Sequence, residues 1–306
     1  VHVPVLLQEM LHALRPRPGG VYLDGTLGAG GYAQAILEAS APDGRVVGLD
    51  LDSAAVAQAI PLVERFGDRF CAIQGGFHQV EEILASLGLQ RLDGAVLDLG
   101  LSSDQLEDPL RGFSFRHEGP LDMRFDTTVG ESLLHYLHHI SLSELERILA
   151  TYGQERHARK VARVLTASRD QGRLQTTRDL AETVRRALPG RRSKIHPATR
   201  TFQALRIALN RELENLETAL QVTPPLLGAG GRFCVVSYHS LEDGMVKGRF
   251  REYSRDSTRW LLVTRKPLRP SVEEVRANPR SRSARMRVLE AQAGQKAPRP
   301  LVGLCG

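Results

Sequence analysis

The chain has 306 residues, 42% hydrophobic and 25% charged, with a formal charge of +6, enough for one large core or for a core and a smaller satellite domain. No apolar run approaches the roughly 20 residues that cross a bilayer, and the Val1-His2-Val3-Pro4 start has no basic region followed by an apolar stretch, so a cytoplasmic protein without membrane contact is expected. Cys71, Cys234 and Cys305 lie far apart with no CxxC, which argues against a disulfide framework and against a bound metal.

Pro4 to Leu14 carries Leu6, Leu7, Met10, Leu11 and Leu14 at helical spacing and predicts a short helix, stopped by the Pro16 to Gly20 punctuation. A regular alternation follows: strand Val21 to Asp24, helix Tyr32 to Ser40, strand Arg45 to Asp50, then helix Ser53 to Arg65 with Ser53 as N-cap. Strand Phe70 to Gln74, helix Gln79 to Leu87 and strand Leu92 to Leu99 continue it. Short apolar strands between amphipathic helices predict a parallel sheet covered on both faces, an α/β doubly wound fold.

From about Asp104 to Ile195 the strands stop. Helical patterns replace them at Leu133 to Leu137, Leu142 to Ala150, Arg156 to Ser168 and Arg178 to Leu188, with Ser141 and Thr177 as caps and Gly153, Gly172 and Pro189-Gly190 as stops. Pro197 opens a long helix through Leu220. After Gly228 to Gly231 the strand Arg232 to Tyr238 resumes the sheet, and Trp260 to Thr264 and Ala284 to Leu289 close it. The expected domains are 1–107 and 196–306, together one sheet domain with a basic C-terminal segment, and an inserted helical domain at 108–195.

Charge is divided unevenly along this plan. Residues 1 to 110 carry 6 Lys/Arg against 15 Asp/Glu, whereas residues 185 to 211 hold 8 Lys/Arg and no carboxylate, and residues 255 to 306 hold 12 against 4. Two basic stretches beside an acidic half point to a polyanionic partner.

The sequence Asp24-Gly25-Thr26-Leu27-Gly28-Ala29-Gly30-Gly31 stands between a strand and a helix, where glycines let a ligand approach the backbone. Asp50 ends the next strand, placed to accept from both ribose hydroxyls. Gly28, Gly30 and Ala33 also satisfy the dinucleotide pattern GxGxxG/A. Electrostatics separate the two readings: a pyrophosphate needs a positive or neutral cradle, yet Asp24 is expected at the mouth of the loop. S-adenosylmethionine carries no phosphate and has a sulfonium and an ammonium, which suit acidic surroundings. Phe77 follows the third strand, where an adenine can stack, and Asp98 ends the fourth, at the edge where open α/β sheets bind ligands.

Seven segments in order carry a resemblance over nearly the whole chain: HVPVLL at 2–7, DGTLGAGG at 24–31, DLGLSSDQLEDPLRGFSF at 98–115, GPLDMRFD at 119–126, HPATRTFQALRIALNRELE at 196–214, SYHSLED at 237–243 and NPRSRSARMRV at 278–288. Together they resemble the bacterial 16S rRNA (cytosine-N4) methyltransferase family, RsmH or MraW. The resemblance implies a class I S-adenosylmethionine-dependent methyltransferase, a Rossmann-like doubly wound sheet with an inserted all-helical substrate-recognition domain. It implies methylation of the exocyclic N4 of a decoding-centre, P-site cytidine of 16S rRNA, by a monomer or a homodimer. Gly30, Gly31, Tyr32, Asp50, Phe77, Asp98 and Gln105 are the cofactor contacts that it implies. Tyr32 stands where the family usually has His, leaving its backbone amide as the contact, and Leu51 stands where it usually has Arg.

Transfer of a methyl from a sulfonium needs mainly proximity and orientation. The cytosine amine is a poor nucleophile, so an acceptor that hydrogen-bonds it and later takes a proton is needed. Asp98, Asp122 and His239 are the candidates, and the sequence does not choose among them. Arg191, Arg192, Lys194, Arg200 and Arg206, with Arg211, are placed to neutralise rRNA phosphates, and the target base must be unstacked to be reached. A nicotinamide dehydrogenase and a catalytically silent RNA-binding protein are the rival readings, separated by binding of S-adenosylmethionine against NAD.

Overall fold

Apolar residues that alternate along short strands feed two separate cores. Tyr22, Val46, Val96 and Cys234 point to one, while their neighbours Leu23, Val47, Leu97 and Val235 point to the other, so each strand is buried on both sides. The computed structural model, which describes residues 4–188 and 196–293, forms two compact units. The first comprises residues up to Gly100 together with those from Glu214 onward.

Its elements are α1 (Leu7–Leu14), β1 (Val21–Asp24), α2 (Gly31–Ala39), β2 (Arg45–Asp50), α3 (Ser53–Gln58), α4 (Ile60–Phe66), β3 (Phe70–Gln74), α5 (Val80–Ser86) and β4 (Leu92–Asp98). Six helices of the second unit follow: α6 (Ser103–Glu107), α7 (Leu133–His139), α8 (Leu142–Thr151), α9 (Ala158–Asp170), α10 (Thr177–Ala187) and α11 (Thr199–Asn210). The chain then returns through α12 (Glu212–Val222) to β5 (Leu227–Ser237), α13 (Ser240–Tyr253), β6 (Trp260–Leu262), α14 (Val272–Ala277) and β7 (Arg285–Ala291).

The seven strands lie in the order β3-β2-β1-β4-β5-β7-β6, the first five parallel and β7 antiparallel between β5 and β6. Residues of α1 and α2 pack on one face; those of α5, α12 and α13 pack on the other. This is the Rossmann-like class I methyltransferase arrangement that the resemblance implied, with a helical unit following β4. The order reverses between β1 and β4, and the crevice beyond their carboxyl ends is where such sheets receive ligands.

The second unit, Leu101–Leu213, has its own core, in which Leu133, Leu145, Leu149, Val161, Leu165 and Leu180 are all but inaccessible. Here the structure departs from the expected spans, which divided the chain at 107/108 and 195/196. Helix α11 packs on α7 and α8 and contributes Phe202, Ala204 and Leu205 to that core, so it goes with the helical unit. The single helix expected from Pro197 to Leu220 is two, because Arg211 takes a left-handed conformation (φ 51°) and turns the chain between α11 and α12. Helix Ser53 to Arg65 is likewise two, divided at Ala59 with Pro61 opening α4. Its cap is Asp52, which accepts from the Ala54 amide at 3.0 Å, and Thr176, one residue before the expected Thr177, caps α10.

Candidate active site

Three carboxylates stand at one edge of the first unit, because β1, β2 and β4 end in Asp24, Asp50 and Asp98. Each follows a run of apolar strand residues and so emerges where the strand meets the turn. Their surroundings divide the work.

The loop after β1 is folded back on the sheet by its own amides. Gly25 donates to the Val96 carbonyl at 2.9 Å and Leu27 to the Leu49 carbonyl at 2.8 Å, tying the loop to the strands on either side. Gly30, at φ 77°, is the N-cap of α2 in a conformation that favours glycine, and it brings no side chain to cap the helix. Asp24 supplies the missing cap from below: its Oδ2 accepts from Ala33 N at 3.1 Å and its Oδ1 from Thr26 N at 3.3 Å. The expectation that Asp24 stands at the mouth of the loop is therefore corrected, since the residue is 0% exposed. Burial pushes its carboxyl up to about 7, with the Thr26 amide holding it back and Asp50 adding repulsion. Among the described residues no acceptor meets the first-turn amides of Gly31 and Tyr32, which leaves two donors at the positive end of a helix.

Asp50 grips the loop from the neighbouring strand. Its Oδ2 accepts from the Gly28 amide at 2.8 Å and its Oδ1 from the Asp52 amide at 2.9 Å. The Gly75 amide donates to the Asp50 carbonyl at 2.9 Å, which sets the turn leading into Phe77. Phe77 is half-buried, and a Cβ at Gly25 would lie 3.1 Å from Phe77 Cβ and 2.4 Å from Leu97 Cδ2, so these turns touch only because Gly25 has no side chain.

Asp98 is fixed by two residues that sequence reasoning did not single out. Its amide donates to Thr26 Oγ1 at 2.7 Å, and Tyr238, just beyond β5, donates its hydroxyl to Asp98 Oδ1 at 2.8 Å. Burial pushes the Asp98 carboxyl up to about 7; the Tyr238 hydrogen bond works against this, while Asp24 and Glu242 repel the charge. Tyr238 sits in the SYHSLED segment, whose only visible chemical candidate was His239.

His239 itself is the N-cap of α13. Its Nδ1 accepts from the Glu242 amide at 3.4 Å, its Nε2 lies 3.0 Å from Glu242 Oε1, and buried Glu242 accepts from the Tyr238 and His239 amides. Asp243, one residue on, binds Arg285 at 2.9 Å and Arg287 at 2.7 Å on β7, so two arginines of the basic C-terminal segment are engaged inside the unit.

Tyr32 directs its side chain inward, where its buried hydroxyl donates to the Val5 carbonyl, so only its amide is offered to a ligand.

The remaining candidates belong to the helical unit. Gln105 Oε1 accepts from the Ser102 amide at 3.1 Å in a reciprocal capping box at the start of α6. Asp122 holds Arg124 in a two-pronged pair at 3.0 and 2.8 Å; burial opposes its charge, but the Arg124 hydrogen bonds outweigh this and keep its pKa below the ordinary range. The GPLDMRFD turn around it is pinned by Asn210, which donates to the Met123 carbonyl and accepts from the Phe125 amide, both at 2.8 Å. Arg200 is exposed and donates to the Gln154 carbonyl at 3.2 Å. Arg206 is part-buried against Glu212 in a bidentate pair at 2.7 and 2.8 Å, so its charge is already matched. Arg191, Arg192 and Lys194 lie outside the described residues.

Residues 1–292 match the family model described as the MraW methylase family. Relatives named ribosomal RNA small subunit methyltransferase H are similar over nearly their whole length. The relative from Geobacter sp. (strain M21) is 46% identical over 305 residues, covering 94% of this chain and 98% of its own. That from Thermomicrobium roseum is 47% identical over 303 residues, covering 94% and 93%, and that from Sorangium cellulosum 46% identical over 297 residues, covering 97% and 92%. With one family model matched across all but the last residues and relatives this similar at full length, the chain belongs to the MraW methylase family.

Proposed function

We propose that this chain transfers a methyl group from S-adenosylmethionine to the exocyclic N4 of a P-site cytidine in 16S small-subunit rRNA, in the cytoplasm. The names of its relatives support the rRNA substrate. The observation that carries the reading is the ring of strand-end carboxylates around the Gly28 to Gly31 loop, at the point where the strand order reverses.

The residues fit the cofactor by charge and by donor type. S-adenosylmethionine supplies, when bound, an electrophilic methyl on a cationic sulfur. The Gly31 and Tyr32 amides are donors suited to a carboxylate, and the Asp50 carboxylate at the end of β2 is an acceptor suited to a ribose diol. Phe77 offers a ring to an adenine, and Gln105 stays a proposed further contact. Asp50 and Asp98, which unlike Asp24 are partly exposed at this edge, make a setting that favours a cationic ligand over a pyrophosphate.

For the base, Asp98 is the preferred proton acceptor among the three candidates. When ionised it accepts a hydrogen bond from the amine and raises its nucleophilicity, and a pKa near neutral suits it to take the proton. His239 spends Nδ1 on the cap of α13, its Nε2 lying beside Glu242 without a hydrogen bond, and Asp122 is the partner of Arg124. The helical unit is proposed to recognise the rRNA, with Arg200 among its contacts.

Calorimetry with S-adenosylmethionine, its demethylated product and NAD tests the cofactor, and mass mapping of small-subunit rRNA methylated in vitro tests the base. Binding of NAD alone overturns the first assignment, and a methyl found on any other nucleotide or position overturns the second.

A further inference from the structure

Helix α9 and the residues just before it present a row of positive charge that no carboxylate among the described residues pairs with, outside the two basic stretches at 185–211 and 255–306. Its inner face is Ala158, Val161, Ala162, Leu165 and Ser168, all buried, and its outer face carries Arg159, Lys160 and Arg163, with Arg156 just before the first turn. The spacing of three and four residues puts Arg159, Lys160 and Arg163 on one side of the helix, and Arg156, just before its N-cap, joins them around the same hollow. With His157 and Val164 they line a surface hollow of about 420 Å³ that contains no carboxylate.

Five arginines of the helical unit, Arg169 of α9 among them, are matched by an acid. Arg124 pairs with Asp122, Arg147 with Glu144, Arg169 with Asp170, Arg178 with Glu118 and Arg206 with Glu212. Among the described residues no carboxylate pairs with Arg156, Arg159, Lys160 or Arg163. The nearest acid in sequence, Glu155, is buried, with its carboxylate accepting from the His157 amide at 3.0 Å. Like charges one helical turn apart repel and weaken a helix, so an outward row of them without counter-charges is costly unless a polyanion meets it. Arg200, held on the Gln154 carbonyl, extends the row beyond the start of α9.

We infer that the Arg156, Arg159, Lys160 and Arg163 face of α9 is a docking surface for the sugar-phosphate backbone of RNA. This rests on the rRNA reading above and adds to it the surface by which the helical unit engages its substrate. Three of the four cations are arginines, whose planar forks match phosphate oxygens, and the hollow gives a strand a concave seat. Such contacts position the RNA and leave the choice of base to the pocket that receives it.

The test is a salt titration of binding to a small-subunit rRNA transcript, comparing wild type with the variant carrying Arg156→Ala, Arg159→Ala, Lys160→Ala and Arg163→Ala. A second variant carries Arg156→Lys, Arg159→Lys and Arg163→Lys. Calorimetry with S-adenosylmethionine checks that the first unit is intact, and circular dichroism that the helices are. The alanine variant is expected to bind RNA roughly tenfold or more weakly near physiological salt and to flatten the log-log salt slope by about 2 to 3, with the lysine variant close to wild type. An alanine variant with wild-type affinity and slope, while wild type methylates the transcript, overturns the α9 surface and leaves the functional reading standing. A lysine variant as weak as the alanine one overturns the electrostatic argument. Equal displacement of wild type by polyglutamate and by RNA reassigns the face to an acidic protein, and a wild type that neither binds nor methylates the transcript overturns both readings.

Discussion

The Tyr238 hydroxyl donates to Asp98 Oδ1 at 2.8 Å, joining the residue just beyond β5 to the last residue of β4. Burial has pushed that carboxyl up to about 7, and this hydrogen bond favours its ionised form. Tyr238→Phe therefore raises the Asp98 pKa further. The pH at which methyl transfer reaches half its plateau should move up, with a several-fold loss at about pH 7 that is largely recovered near pH 9. A lowered plateau with no shift along the pH axis removes Asp98 from proton handling.

Asp24 makes the ligand-free protein sensitive to pH in the direction opposite to a salt-bridged carboxylate. Its folded pKa of about 7 lies above the ordinary 3.8, so between those values the folded state binds more protons than the unfolded one. Stability is then fully present below about pH 4 and is lost as pH rises through about 7. Urea midpoints of the ligand-free protein should fall between about pH 5 and pH 8, and Asp24→Asn should narrow the difference. Asp98, raised likewise to about 7, adds to the same slope, so a pH difference that Asp24→Asn leaves unchanged removes Asp24 as its source.

Asp50 serves the Gly28 amide with one oxygen and the Asp52 amide with the other. Asp50→Ala removes both, together with the proposed ribose acceptor, and should weaken cofactor binding by on the order of 1 to 3 kcal/mol in calorimetry. Unchanged affinity would move the ribose elsewhere.

Gly25→Ala introduces a methyl 2.4 Å from Leu97 Cδ2, beneath the turn that carries Phe77. Leu97 and Phe77 must shift to admit it, at a cost of about 1 to 3 kcal/mol in the urea midpoint, and cofactor affinity should drop in parallel. If stability falls while affinity holds, Phe77 is not a cofactor contact.

Arg206→Ala takes the bidentate partner from part-buried Glu212 and should destabilise the protein by about 1 to 3 kcal/mol. Because that charge is already matched, the salt slope of RNA binding should stay as in wild type. A flattened slope would restore Arg206 as a phosphate contact.

Most of the sheet was legible because strand periodicity is local. β1 to β4, the glycine loop and Asp50 follow from apolar runs of four to seven residues that end in a carboxylate or a turn. The missed features depend on distant partners or on unusual backbone. Nothing beside Arg211 announces a left-handed turn in a residue other than glycine, so α11 and α12 read as one helix. Helix α13 was not foreseen, since its buried face mixes Val246 and Phe250 with Glu242 and Asp243, and that pattern is not apolar until the ion pairs to β7 are known. Tyr238 was passed over for His239 because its partner lies 140 positions away. The charges of α9 stand in a run, four cations within residues 156–163, but only the helix shows that an apolar face turns them together to the surface.

That separation of 140 positions also orders the birth of the protein. Synthesis runs from the N-terminus, so β1 to β4 emerge first, and β4 leaves the ribosome with the edge that will pair with β5 still open. The helical unit comes next, with a core of its own. Since closure entropy grows only with the logarithm of loop length, a compact insertion holds the ends of β4 and β5 within reach at modest cost. The Asp98 to Tyr238 contact cannot form before β5 is made, and a chain stalled or cleaved before Leu227 has its glycine loop but an unfinished sheet, exposed to aggregation.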